Sequence, residues 1–182
     1  MIQDYLGRGA ARRRLAALLA VSIPILAACA QHEEVARGSP VERGRYLVQL
    51  GGCNDCHTPG YFLGKPDSDR YLGGSDVGFA VPGLGVFVGP NLTPDPETGL
   101  GRWSEAEIVH ALKTGERPDG RILADIMPWR AFSKLDDADL RGIAAYLKTL
   151  RPVAHRVAGP LGPDQPAPIF TLRLTPPTTK AP

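Results

Sequence analysis

Residues 58–102 constrain this chain more than any other stretch. Gly and Pro recur through them, no apolar period runs along them, and helical patterns stand only before and after. Loops longer than about 12–15 residues are uncommon in compact domains, and those that occur usually carry function or wrap something. The whole chain has 21 Gly and 18 Pro in 182 residues, so long loops and limited regular structure are expected. Three helices flank the loop. "SPVE" announces the first: Ser39 can cap, Pro40 suits the first helical position and Glu42 completes a capping box. It should run Pro40–Leu50 and stop at Gly51 and Gly52. "WSEAEIVHALKTG" predicts the second, with Ser104 and Glu107 as capping box, Ile108, Ala111 and Leu112 inward, and Gly115 as its end. "LDDADLRGIAAYLKTLRP" predicts the third: Asp136 caps it, Leu140, Ile143, Ala144, Leu147 and Leu150 form one stripe, and Pro152 stops it. Within the loop, "GFAVPGLGVFVG" has two apolar runs about Pro82 and Gly85, the pattern of a small hairpin. Three modest helices bury a thin core, and a disulfide, metal or cofactor is the usual remedy.

The candidates for that remedy sit together in "GGCNDCHTPG", where the first helix ends. A disulfide between Cys53 and Cys56 would close a loop too small to matter. A structural zinc needs four ligands, and beyond Cys53, Cys56 and His57 only scattered His residues and no second Cys pair exist. A redox dithiol belongs at a strand-to-helix turn, whereas this motif follows a helix. Cys-x-x-Cys-His is instead the attachment signal of c-type haem, with two thiols for the vinyl groups and the adjacent His as proximal iron ligand. We therefore expect one covalent haem c. Its sixth ligand is expected to be Met127 in "IMPWR", a soft thioether whose following Pro128 holds it out of helical geometry. The competing role for a lone Met is core packing.

The N-terminus reads as an export signal. Arg8, Arg12, Arg13 and Arg14 precede an uncharged stretch over residues 15–28, too short to span a bilayer comfortably. It ends in "LAAC", which resembles the lipobox of bacterial lipoproteins, where the peptide is cut before the Cys and the Cys carries the lipid. We thus expect residues 1–28 as signal peptide, lipid on Cys29, and a tether over residues 29–38. Residues 39–152 form the expected domain and residues 153–182 a Pro-rich tail, with its "IFTLRL" packed along the domain. Loss of Arg8, Arg12, Arg13, Arg14 and Asp4 turns the formal charge of +2 into −1, so no nucleic-acid partner is indicated. Ala30, rather than an acidic residue, follows Cys29 and leans the expected location towards the outer membrane.

Taken with Met127, "ERGRYLVQLGGCNDCH" resembles the first helix and haem loop of class I cytochromes c. The resemblance implies an all-α fold of three to four helices around the haem, with the long loop holding the hairpin. It implies that Gly44 lets the first helix cross the last closely, against Tyr146. It also implies that the Pro90 carbonyl in "GPNL" accepts the proximal imidazole N–H, and that Trp103 bonds a propionate. The segments "GPNLTPDPETGLGRWSEAEIVHALKTG" and "MPW" are similar to haem domains in cytochrome subunits of bacterial membrane-bound alcohol, aldehyde and sugar-acid dehydrogenases. Those usually carry three such domains, and this chain carries one. The expectation is a non-enzymatic, lipid-anchored, periplasmic one-electron carrier. It would link a dehydrogenase or quinol-linked donor to an oxidase or cytochrome acceptor. Two alternatives stay open: a haem enzyme or gas sensor with a labile sixth ligand, and a fixed electron-transfer subunit of a dehydrogenase.

Overall fold

The structure, a computed structural model, describes residues 38–173 and residue 175. The expected signal peptide, Cys29, most of the tether and the end of the tail lie outside the described residues.

Helix α1 (Pro40–Leu50) buries Gly44, Leu47 and Val48. Gly52, at φ 64°, turns the chain straight into α2 (Cys53–His57). Helix α3 (Glu105–Thr114) starts at Ser104 with both halves of the capping box formed, and ends at Gly115 in the left-handed region. A single turn, α4 (Trp129–Phe132), precedes α5 (Asp137–Thr149), whose entrance is capped by the Asp136 carboxylate accepting from the Asp139 N–H at 2.7 Å. Helices α2 and α4 exceed the three or four expected. Each is one turn or little more, too short for an apolar period to mark.

Helices α1 and α5 cross where both carry glycine. A Cβ on Gly44 would stand 1.8 Å from the Gly142 carbonyl oxygen, so only a bare backbone fits. The expected aromatic partner is therefore not the point of closest approach: Gly142 is, and Tyr146 packs beside the core one turn on. Arg43 locks the crossing with two parallel bonds to Asp139, both 2.8 Å. The core beneath gathers Leu47 and Val48 from α1, Ile108 from α3, and Ile143, Ala144 and Leu147 from α5. Leu72 and Leu100, both in the long loop, complete it. Lys148 ties the loop down from α5, donating to the carbonyls of Leu100, Gly101 and Trp103 at 3.2, 3.1 and 2.8 Å.

To the expected helices and hairpin the structure adds a small sheet. The hairpin is present as β1 (Val77–Val81) and β2 (Gly85–Val88), paired antiparallel with Phe79 opposite Phe87. The tail then adds β3 (Phe170–Arg173) parallel to β1, with Val77 opposite Phe170, giving the order β2-β1-β3. A hairpin alone leaves β1 with an unpaired edge, and "FTLR" from the tail satisfies it.

Candidate functional site

Helix α2 sets Cys53, Cys56 and His57 on little more than one turn. The two thiols are free and partly buried. Burial pushes the Cys53 thiol up to about 11 and raises that of Cys56 as well, so both are protonated at neutral pH. His57 is buried, and its Nδ1 lies 2.7 Å from the Pro90 carbonyl oxygen. That oxygen only accepts, so Nδ1 carries the proton and Nε2 holds the lone pair that a metal needs. Desolvation keeps the ring below its ordinary pKa, opposed in part by the bond to Pro90. The site thus presents a neutral, oriented imidazole.

Backbone contacts fix this arrangement from two segments of the long loop. The Gly74 N–H donates to the His57 carbonyl at 2.8 Å, and Ser75 N–H to the Gly89 carbonyl at 2.9 Å. Thr58 Oγ1 donates to Asn54 Oδ1 at 2.7 Å and accepts from the Leu72 N–H at 2.8 Å. Leu72 is fully buried with φ 56°, a conformation a non-glycine residue holds only when its surroundings over-determine it. A Cβ on Gly89 would stand 1.7 Å from the Cys56 carbonyl oxygen, so glycine is what lets the Pro90 segment reach the motif.

Met127 lies in the connection from α3 to α4. Its N–H donates to the Ala124 carbonyl, and its own carbonyl accepts from Trp129, at 2.9 and 2.8 Å. Two contacts anchor that connection. The Trp129 indole lies over Gly115, where a Cβ would come within 2.6 Å of the ring. Phe132 covers Gly51, whose Cβ would meet the ring at 2.9 Å, two residues before Cys53. Phe132 thus sets α4, the turn after Met127, against the residue two before Cys53, and Met127 itself is half-buried.

Trp103 packs on the core with the Arg117 guanidinium carbon 5.4 Å from its ring centre. Among the described residues, the buried side-chain polar atoms without a partner are the indole N–H of Trp129 and Nε of Arg117. Burial and the neighbouring Arg121 lower the Arg117 pKa, and Asp119 at 3.5 Å offsets this only partly. Two orphaned donors, one on a destabilised cation, are what a buried carboxylate requires. Haem carries two. With the paired thiols and the oriented imidazole, these residues fit a covalent haem. Sequence reading named neither Arg117 nor Trp129, because their shared feature is a missing partner, visible only once the chain is folded. Among the described residues, no three His, Cys, Asp or Glu side chains converge as a metal cluster of their own.

Residues 41–151 match the Cytochrome c family model. The alcohol dehydrogenase (quinone) cytochrome c subunit of Gluconobacter oxydans is 32% identical over 145 residues, 78% of this chain and 28% of the relative. The fructose dehydrogenase cytochrome subunit of Gluconobacter japonicus is 37% identical over 112 residues, 59% of this chain and 21% of the relative. A diheme cytochrome c-type protein of Cereibacter sphaeroides is 44% identical over 112 residues, 59% of this chain and 34% of the relative. The chain thus spans about a fifth to a third of the length of these curated relatives.

Proposed function

The chain belongs to the cytochrome c family, and on that premise we propose that it is a monohaem, lipid-anchored electron carrier on the periplasmic side of a bacterial membrane. Cys53 and Cys56 would hold the haem by thioether bonds, His57 and Met127 would supply the axial ligands, and Arg117 and Trp129 would hold its propionates. When bound, the haem supplies a one-electron ferric–ferrous couple. The polypeptide does the rest. Pro90 fixes the tautomer of His57 and raises its basicity. As a ligand to the iron, the Met127 thioether would favour the ferrous state relative to a second imidazole. The core of α1, α3 and α5, against which Cys53 packs, supports the site.

The observation that carries this reading is the buried imidazole donating from Nδ1 to Pro90, which leaves Nε2 free to ligate beside two unpaired thiols. The relatives are named as cytochrome subunits of alcohol and fructose dehydrogenases, and that supports a dehydrogenase as donor and a further cytochrome or oxidase as acceptor. Export and a lipid on Cys29 rest on the sequence of residues 1–29. Among the described residues no helix is long and apolar enough to cross a membrane.

Absorption spectra of the matured protein, oxidised, reduced and with CO, test the proposal. A c-type spectrum with the weak sulfur-to-iron band and no response to CO is expected, and Met127→Leu should abolish the band. Ready CO binding by the intact reduced protein would instead assign a labile sixth site and an enzyme or sensor role. Mass spectrometry of the membrane fraction should find acyl chains on Cys29, and a soluble chain cleaved elsewhere would remove the anchor from the proposal.

A further inference from the structure

The tail beyond the helical core does more than pair with the sheet. The family match ends at residue 151, and the next few residues run back over the two loop segments that hold His57. The Val153 N–H donates to Thr93 Oγ1, and the His155 N–H to Thr98 Oγ1, each at 3.1 Å. Asn91, the residue after Pro90, is 2% exposed and joins this strap to its own loop, its amide oxygen accepting from the Thr93 N–H and hydroxyl at 2.9 and 2.7 Å. Its amide nitrogen donates to the Val153 carbonyl at 2.7 Å, to Thr98 Oγ1 at 3.1 Å and to the His155 carbonyl at 3.4 Å. On the other segment, the His155 imidazole donates from Nδ1 to the Gly73 carbonyl at 2.7 Å. Room for the strap is built in. A Cβ on Gly74, at φ 100°, would stand 2.2 Å from a Val157 methyl, and one on Gly85, at φ 112°, 2.0 Å from the Leu161 carbonyl.

Each pinned residue adjoins one that holds His57, by its main chain or by its imidazole. Gly73 precedes Gly74, whose N–H bonds the His57 main chain, and Asn91 follows Pro90, whose carbonyl takes the His57 side-chain proton. We propose that residues 153–157 are a clamp on the proximal ligand, with Asn91 and His155 as positioning residues that set the His57–Pro90 hydrogen bond and through it the reduction potential. The clamp rests on the haem reading above. A tight N–H···O bond gives the imidazole more anionic character and favours ferric iron, so loosening it favours ferrous iron.

The test uses the full-length holoprotein. In His155→Ala the oxidised-to-reduced ratio at a fixed ambient potential should fall roughly five- to tenfold, about the size of one hydrogen bond to a group changing charge. Tenfold corresponds to about 59 mV for one electron. By NMR of the reduced protein, the His57 Nδ1 proton should exchange with solvent about tenfold faster, and His155→Asn, which restores a short N–H donor, should recover both values. Thr98→Val, isosteric and without the hydroxyl that the strap and Asn91 share, should shift both readouts in the same direction, and it decides the matter if His155→Ala fails to take up haem. A lower melting temperature with potential and proton exchange unchanged would overturn the clamp and leave a brace. A wild-type chain without covalent haem would overturn the haem reading itself, and the clamp with it.

Discussion

A single missing methyl group sets two of the distances that matter most. At Gly44 a Cβ would meet the Gly142 carbonyl oxygen at 1.8 Å, and at Gly89 the Cys56 carbonyl oxygen at 1.7 Å. Both neighbours are backbone, so neither can swing aside. Gly44→Ala should therefore force α1 off α5 and cost about 3 kcal/mol or more, read as a lower urea midpoint. Gly89→Ala acts elsewhere: it lifts Pro90 from the motif, so its main readout should be poorer haem attachment and a shifted potential. At this scale, legibility followed sequence distance. Cys53, Cys56 and His57 lie within five residues and declare their chemistry by spacing alone. Gly142, Asn91, Arg117 and Trp129 matter only through partners folded onto them, and no local pattern marks a donor that lacks an acceptor.

Among the elements, α3 depends most clearly on its ends. Ser104 accepts from the Glu107 N–H at 3.2 Å, and the Glu107 carboxylate accepts from the Ser104 N–H at 2.7 Å. Ser104→Ala should cost about 1 kcal/mol by chemical denaturation and leave the potential unchanged, since nothing at Ser104 touches the site. That helix and α5 were readable because cap, apolar stripe and stop signal agree. The hairpin was readable from its two apolar runs. Helices α2 and α4 were not, and neither was the pairing of β3 with β1, whose registered residues lie more than ninety positions apart. The last of these makes the expected hairpin a three-stranded sheet beside the helices.

Over the whole molecule, stability should follow pH in one direction. Asp67, Asp95, Glu107, Asp119 and Asp137 all have folded pKa values below their ordinary 3.8 or 4.5. Side-chain bonds to Arg70, Thr98 and Lys113 lead for Asp67, Asp95 and Asp137, and the Ser104 N–H leads for Glu107. For Asp119, desolvation is the largest single influence and raises the pKa, but the two bonds from Arg121 and the charges of Arg117 and Arg121 together outweigh it. A depressed folded pKa contributes stability above the unfolded value and loses it as pH falls through the folded one. These carboxylates should leave the urea midpoint level from pH 7 to 5 and lower it below about pH 4, with added salt blunting the exposed pairs, while His57, kept neutral by burial, adds its own loss below about pH 6.5. The strap also has a consequence in time. Val153 and His155 reach partners 55 to 82 residues earlier in the chain, so their contacts come late for a chain emerging N-terminus first. Until then the face behind His57 stays open. For a chain that crosses the membrane N-terminus first, a window for loading the cofactor would thus precede its enclosure.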